Sequence, residues 1–336
     1  MIREAIAKVV DGHSLEPSEA EEVMQEILEG TPTPAQFGAL MLALRLKGET
    51  PEELAGFATA MRSRATRVTT HAAVVDTCGT GGDGAHTFNI STVAALAVAA
   101  TGQAVAKHGN RAMSSVCGSA DVLEGLGVNI QLGPERVAAS IAATCFGFMF
   151  APLYHPSMRF ANPLRREIGV RTAFNLLGPL TNPASARRQL LGVPNHATGE
   201  KLSQTLALLG ADHALVVCGE GSMDELTLTG ASEVWEVRGT DVQRYALTPE
   251  QFGLQRCDPT ALNGGDVATN VAIAQRVLAG EAGPQLDVVA LSAGAALYAA
   301  DAVPTIAQGI DSARQAIASG AAACTLQRVV EFGAGA

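Results

Sequence analysis

Residues 76–92 read DTCGTGGDGAHTFNIST, directly after the strand-like run AAVVDT at 72–77. Gly79, Gly81 and Gly84 satisfy the dinucleotide-binding pattern G-x-G-x-x-G. In that fold the helix opens at the glycines, and an acidic residue follows roughly 20 residues on to take the ribose hydroxyls. Neither condition holds. AHTFNIS separates Gly84 from the apolar helix, and 99–106 reads AATGQAVA, without Asp or Glu. No Lys-Ser/Thr pair closes the loop, so the Walker pattern fails as well. The segment instead holds two phosphate-suited parts in series. Its glycines can expose consecutive backbone N–H groups as an anion nest. Asn89, Ser91 and Thr92 then set side-chain donors at a helix start, where the dipole and free amides favour an anion. The same spacing also suits a plain strand–loop–helix turn with Ser91 as N-cap. Asp83 fits inside a nest if it fixes the loop through backbone hydrogen bonds, or if a cation or sugar hydroxyl lies nearby.

Outward from this loop, apolar runs alternate with helical segments: AAVVDT, a helix from about Thr92, AVAKH, a helix near Ala120, GVNIQL, a helix from Pro134, and FGFMFAP. After Arg188 come QLLGV, a helix through Leu202–Leu209, HALVVCG, and a hairpin-like excursion through EVWEVRG and YALTPEQFGL before three C-terminal helices. Such alternation predicts an α/β fold: a large domain with a mainly parallel central sheet flanked by helices. The first 70 residues read as wholly helical. Capping boxes start helices at Ser18/Glu21, Thr33/Gln36 and Thr50/Glu53, with Pro34 and Pro51 at first helical positions. The block Asn162–Pro183 (NPLRREIGVRTAFNLLGPLTNP) is helical in flavour, bounded by hinge-like prolines, and suits a crossover back to those helices. The expected division is a small all-helical domain, 1–71 with about 163–182, and a large α/β domain, 72–162 with 183–336.

A chain of 336 residues with 47% hydrophobic and 17% charged residues is globular and rules out disorder. Its formal net charge of −10 argues against a broad basic surface and against non-specific nucleic-acid binding. A polyanionic substrate must then be held by backbone amides, helix N-termini and a divalent metal. The six cysteines, at 78, 117, 145, 218, 257 and 324, form no C-x-x-C pair. Reduced thiols in the cytoplasm fit better than disulfides or zinc. No signal-type core opens the chain, and the richest apolar run, TVAALAVAATG, is about half the ~20 residues a membrane helix needs. These features point to a soluble cytoplasmic protein.

The segment AKHGNRAMSSVCGSADVLEGLG (106–127), with DTCGTGGDG and TFNIST before it, resembles the anthranilate phosphoribosyltransferase family. So do FMFAPLYHPSMR (148–159), LRREIGVRTAFNLLGPLTNP (164–183) and GSMDELTLTG (221–230). The likeness runs in order along nearly the whole chain. It implies transfer of the phosphoribosyl group of 5-phosphoribosyl-1-pyrophosphate to the amino nitrogen of anthranilate, in tryptophan biosynthesis. It implies that Gly79, Thr80, Gly81, Gly82, Asp83, Thr87, Asn89, Ser91, Thr92, Lys107 (in the K-H-G-N-R loop) and Ser119 face the donor. Asp224 and Glu225, with Ser91, become the ligands of Mg²⁺. Gly79, His108, Asn110, His155, Arg165 and Gly178 fall on the anthranilate side, with Arg165 as the fork for its carboxylate. Arg166 and Arg171 are possible ion-pair partners, and no acid or base is assigned. The helical domain is expected to form a homodimer.

Two departures stand out. Where the family commonly has a polar S-S-x-S-G run, this chain has Ser114-Ser115-Val116-Cys117-Gly118, and Ser292 stands where an Asn is common. A pyrimidine nucleoside phosphorylase, or a non-enzymatic nucleic-acid-binding relative, shares the fold. The first should lack HGN and GPLTNP, and the second should carry a basic groove and a degraded acceptor site. This chain keeps HGN, GPLTNP, Asn110 and Arg165, and is acidic.

Overall fold

The computed structural model describes residues 1–112 and 116–335. The chain opens with four helices, α1 (Ile2–Val10), α2 (Pro17–Glu29), α3 (Pro34–Lys47) and α4 (Pro51–Ser63). Two of the expected capping boxes form. Thr33 Oγ1 accepts from the Gln36 amide at 3.2 Å while Gln36 Oε1 accepts from the Thr33 amide at 3.0 Å. Thr50 and Glu53 do the same at 3.2 and 2.9 Å. The third box is shifted: α2 starts at Pro17, and Glu16 with Glu19 forms the cap, not Ser18 with Glu21. Proline at the first helical position, where no N–H is needed, sets that start. Glu53 is fully buried and also accepts from the Leu15 amide at 2.9 Å and from Lys47 Nζ at 3.0 Å. One carboxylate therefore ties the α1–α2 connection to α3 and α4.

Strands and helices then alternate: β1 (Val75–Gly79), α5 (Ile90–Ala100), β2 (Val105–Gly109), α6 (Ser119–Gly125), α7 (Pro134–Thr144) and β3 (Phe146–Phe150). The segment 127–132, expected as a strand, joins no sheet. Its Val128, Ile130 and Leu132 are buried, so the apolar pattern that suggested a strand anchors a turn to the core instead. Helices α8 (Ala151–Tyr154), α9 (Met158–Ile168) and α10 (Phe174–Leu177) return to the N-terminal helices. Pro163 lies inside α9 rather than bounding it. The tail comprises β4 (Arg188–Gly192), α11 (His196–Leu208), β5 (His213–Gly219), β6 (Ser232–Arg238), β7 (Asp241–Leu247), and four helices rather than three: α12 (Val267–Leu278), α13 (Pro284–Ala299), α14 (Ile306–Ala318) and α15 (Ala321–Ala334).

The seven strands form one sheet in the order β3-β2-β1-β4-β5-β6-β7. The first five are parallel, and β6 and β7 are antiparallel, as the hairpin reading expected. One sheet face packs on α5 and α12–α15 in the larger core; the other packs on α11 and, through it, on α1–α4. The chain winds outward from β1 to β3, then reverses to β4 on the other side of β1. At such a switch point the loops leaving the carboxyl ends of neighbouring strands diverge and open a crevice. The glycine loop leaves β1 at that point, and the residues after β5 flank it.

None of the six cysteines is disulfide-bonded. No helix among the described residues is long and apolar enough to cross a membrane. Ser114 and Ser115 lie outside the described residues. Ser292 Oγ is buried in α13 without a hydrogen-bond partner.

Candidate active site

A cleft of about 870 Å³ opens at the switch point, between the sheet's carboxyl edge and the α8–α10 segment. Every residue assigned above to the donor, the metal or anthranilate lines it, from Gly79 to Glu225; Arg166 does not. The glycine loop is a left-handed turn, with φ of 70°, 76° and 73° at Gly81, Gly82 and Gly84, a region that side chains disfavour. Asp83 fixes it: its carboxylate accepts from the Ala85 amide and from the Asp224 amide, both at 3.2 Å. Asp224 returns the tie, its Oδ2 accepting from the Gly81 amide at 2.6 Å. A Cβ at Gly79 or Gly192 would overlap Asp224, so bare backbone on both β1 and β4 lets this carboxylate approach. The far limb of the loop is clamped by 262–264: Phe88 N donates to Leu262 O at 3.0 Å and Gly264 N to His86 O at 2.9 Å.

Asn89, not Ser91, holds the N-cap position of helix α5, without a side-chain capping bond, and Ser91 lies inside the first turn. The Ser91 amide donates to Glu225 Oε1 at 3.0 Å, joining the helix start to the acidic pair. Thr92 is almost wholly buried. Lys107 lies on strand β2, as the run AVAKH reads, rather than in the K-H-G-N-R loop of the resemblance, and its buried Nζ donates to the Thr77 carbonyl. Burial depresses its pKa, while Asp76 and Glu225 oppose that shift. Its charge thus acts on the cleft from beneath. Asp76 is fixed in turn by Asn182 at 2.8 Å. Ser119 is the first residue of α6, beside the Asn110 carbonyl at 3.4 Å.

Three carboxylates, Asp83, Asp224 and Glu225, therefore share one wall. Burial, then the charges of Asp83 and Glu225, push Asp224 well above the usual carboxylate range. Burial raises Glu225 to about 7, with Lys107 offsetting part of the effect. Crowded, desolvated acids of this kind suit a hard cation. Among the described residues no cluster of three or more metal-ligating His, Cys, Asp or Glu side chains is assembled. Two carboxylates and a hydroxyl match Mg²⁺, which takes one or two carboxylates and completes its shell with water and substrate phosphates.

The opposite wall is chemically different. Arg165 is partly buried, donates to Asn162 Oδ1 at 3.1 Å and lies over the Phe174 ring, 5.1 Å from its centroid. His108 and His155 sit with ring centroids 5.0 Å apart. Burial lowers their pKa values to about 3 and about 4, so both are neutral at pH 7. His108 Nδ1 is 3.3 Å from the Gly178 carbonyl and donates to it. Both Nε2 atoms are buried without a partner. A neutral imidazole that donates through one nitrogen presents a lone pair at the other. Asn110 is exposed at the rim, its Oδ1 accepting from the Arg111 amide at 2.8 Å, and Arg166 is exposed.

Residues 3–65 match the glycosyl transferase family, helical bundle domain, and residues 71–323 the glycosyl transferase family, a/b domain. Over 336 residues the chain is 56% identical to the anthranilate phosphoribosyltransferase of Chloroflexus aggregans, covering 99% of each. It is 49% identical to that of Dehalococcoides mccartyi strain CBDB1, covering 99% of this chain and 98% of the relative. The chain belongs to the anthranilate phosphoribosyltransferase family. The crystal structure of the Thermus thermophilus anthranilate phosphoribosyltransferase superposes with a TM-score of 0.93 at 48% identity, covering 98% of this chain and 99% of that one. The Saccharomyces cerevisiae anthranilate phosphoribosyltransferase, in complex with PRPP and Mg, shares the fold at a TM-score of 0.92 and 24% identity, covering 100% and 98%.

Family resemblance did not single out every residue of this phosphoribosyltransferase cleft. His86, Gly264, Gly265 and Asn270 also line it, as does Arg171, which the resemblance offered only as an ion-pair partner. The sequence NGGDVATN (263–270) did carry a signal: a glycine pair ahead of an aspartate N-cap, with Asp266 accepting from the Thr269 amide at 2.8 Å.

Proposed function

We propose that this enzyme transfers the phosphoribosyl group of 5-phosphoribosyl-1-pyrophosphate to the amino group of anthranilate, giving N-(5-phosphoribosyl)anthranilate and pyrophosphate. One observation carries the reading: a single cleft divides into two chemistries. One wall offers loop amides and an acidic metal seat for a pyrophosphate. The other offers a guanidinium over an aromatic ring, beside two neutral lone-pair acceptors, for a planar aromatic aminocarboxylate. Family membership supports both halves.

The loop amides and the start of α5 bind and orient the donor. Ser91, Asp224 and Glu225 would hold Mg²⁺, whose charge offsets that of the leaving pyrophosphate. Arg165 takes the carboxylate of anthranilate and so aims the ortho amino group. The unpaired Nε2 atoms of His108 and His155 accept its N–H bonds. That leaves the nitrogen lone pair free, and an aniline nitrogen is neutral at pH 7. The nitrogen attacks the anomeric carbon with inversion, while the carbon–oxygen bond to pyrophosphate breaks and its electron pair leaves with pyrophosphate. The nitrogen then passes one proton to the departing pyrophosphate. Positioning and leaving-group stabilisation drive the step without a strong base. We also assign 1–71 with about 163–182 to a helical domain that forms a homodimer, and the remainder to the donor-binding domain. The location is the cytoplasm.

Pyrophosphate release tests this reading. It should require anthranilate, the phosphoribosyl donor and Mg²⁺ together. Release without anthranilate would make the protein a donor hydrolase, and base release from a pyrimidine nucleoside with phosphate would make it a phosphorylase.

A further inference from the structure

Arg171 lies between α9 and α10, half-buried in the cleft. Its Nη2 is 3.4 Å from the Thr80 carbonyl and donates to it. Its guanidinium fills the space that a Cβ at Gly82 would need, where φ is +76°. Position 82 is thus closed to a side chain twice, by its backbone conformation and by this guanidinium. The charges facing Arg171 are Asp224 and Asp83, which attract it, and Arg45, which repels it. On its other side the Arg171 carbonyl accepts a hydrogen bond from Nη1 of Arg45, an exposed residue of α3 that does not reach the cleft. A continuous path of contacts runs from α3 through Arg45 and Arg171 to Thr80 and Gly82, linking the helical bundle to the loop at the switch point.

We propose that Arg171 is a positioning residue for the donor loop, setting the placement of residues 80–82 from a backbone anchored on α3 by Arg45. This rests on the phosphoribosyl-transfer reading and adds to it a residue that acts on donor binding through the glycine loop. A planar guanidinium can lie flat on bare glycine backbone while donating to a carbonyl, which an ammonium cannot do. The anchor and the side chain act in series, so removing either disturbs one property.

The test uses Arg171→Gln, Arg45→Gln, their combination and Arg171→Lys, with the Michaelis constants of both substrates and a calorimetric titration of the donor in Mg²⁺. Arg171→Gln should raise the donor KM about tenfold and leave the anthranilate KM within about twofold. Arg45→Gln should raise the donor KM about threefold, and the double variant should match Arg171→Gln alone, because coupled residues are non-additive. The donor Kd should move in parallel, which needs no turnover. The proposal is overturned if Arg45→Gln leaves donor binding unchanged or if the two effects multiply. Full restoration by Arg171→Lys, or an equal rise in the anthranilate KM, also overturns it. Arg45 is exposed, so its variant reports on the path even if Arg171→Gln folds poorly. A wild-type protein that binds the donor but makes no product would instead count against the functional reading.

Discussion

Asp224 Oδ2 accepts a 2.6 Å hydrogen bond from the Gly81 amide, across 143 residues of sequence. The acidic loop after β5 therefore shapes the glycine loop as well as offering a metal ligand. Asp224→Asn keeps the volume but removes the charge. The expected outcome is an Mg²⁺ concentration for half-maximal rate raised about tenfold, with the anthranilate KM little changed. A Mg²⁺ titration of the rate checks it.

Arg165 reads the acceptor. A hydrogen bond to a charged group contributes about 1.5–3 kcal/mol, so Arg165→Ala should raise the anthranilate KM about 10- to 100-fold with the donor KM near wild type. Steady-state kinetics with each substrate varied in turn separates the two.

The paired histidines tie stability to pH. Burial holds His108 near 3 and His155 near 4, below their ordinary 6.5. The unfolded chain therefore binds more protons below pH 6.5, and native stability falls as pH drops from there towards these values. His155→Gln removes one such group and should lessen the loss between pH 6.5 and 5.5 by about 1 kcal/mol. Urea unfolding at the two pH values measures it.

Glu53 joins three connections of the bundle. Glu53→Ala leaves the Leu15 and Thr50 amides without their acceptor and Lys47 Nζ without its counter-charge, with only the Gly48 carbonyl and the Ser14 hydroxyl beside it. Removing one partner of a buried ion pair costs about 3–5 kcal/mol, and denaturant unfolding should show a loss of that order.

Much of this was legible in the residues. The strands, the hairpin and two of three capping boxes follow from local patterns, because proline, threonine and glutamine or glutamate at fixed offsets satisfy a helix start by themselves. GVNIQL misled because period-2 burial also arises where a turn pins alternate residues into a core. Lys107 carried two readings, a strand in AVAKH and a loop in K-H-G-N-R, and pairing of β2 with β3 through Gly109 decides for the strand. Arg171 was legible as an arginine near the acceptor side or an ion-pair partner, but not as a support of the glycine loop. Its contacts with Gly82 and Arg45 join segments far apart in sequence, and only the closed fold brings them together.

Phosphoribosyl transfer to anthranilate is tested most directly by following anthranilate fluorescence in the presence of the phosphoribosyl donor. The wild-type protein should abolish it with Mg²⁺, stop on chelation and resume when Mg²⁺ is restored. Fluorescence that persists with both substrates and Mg²⁺ present, in protein shown to be folded, would contradict the account.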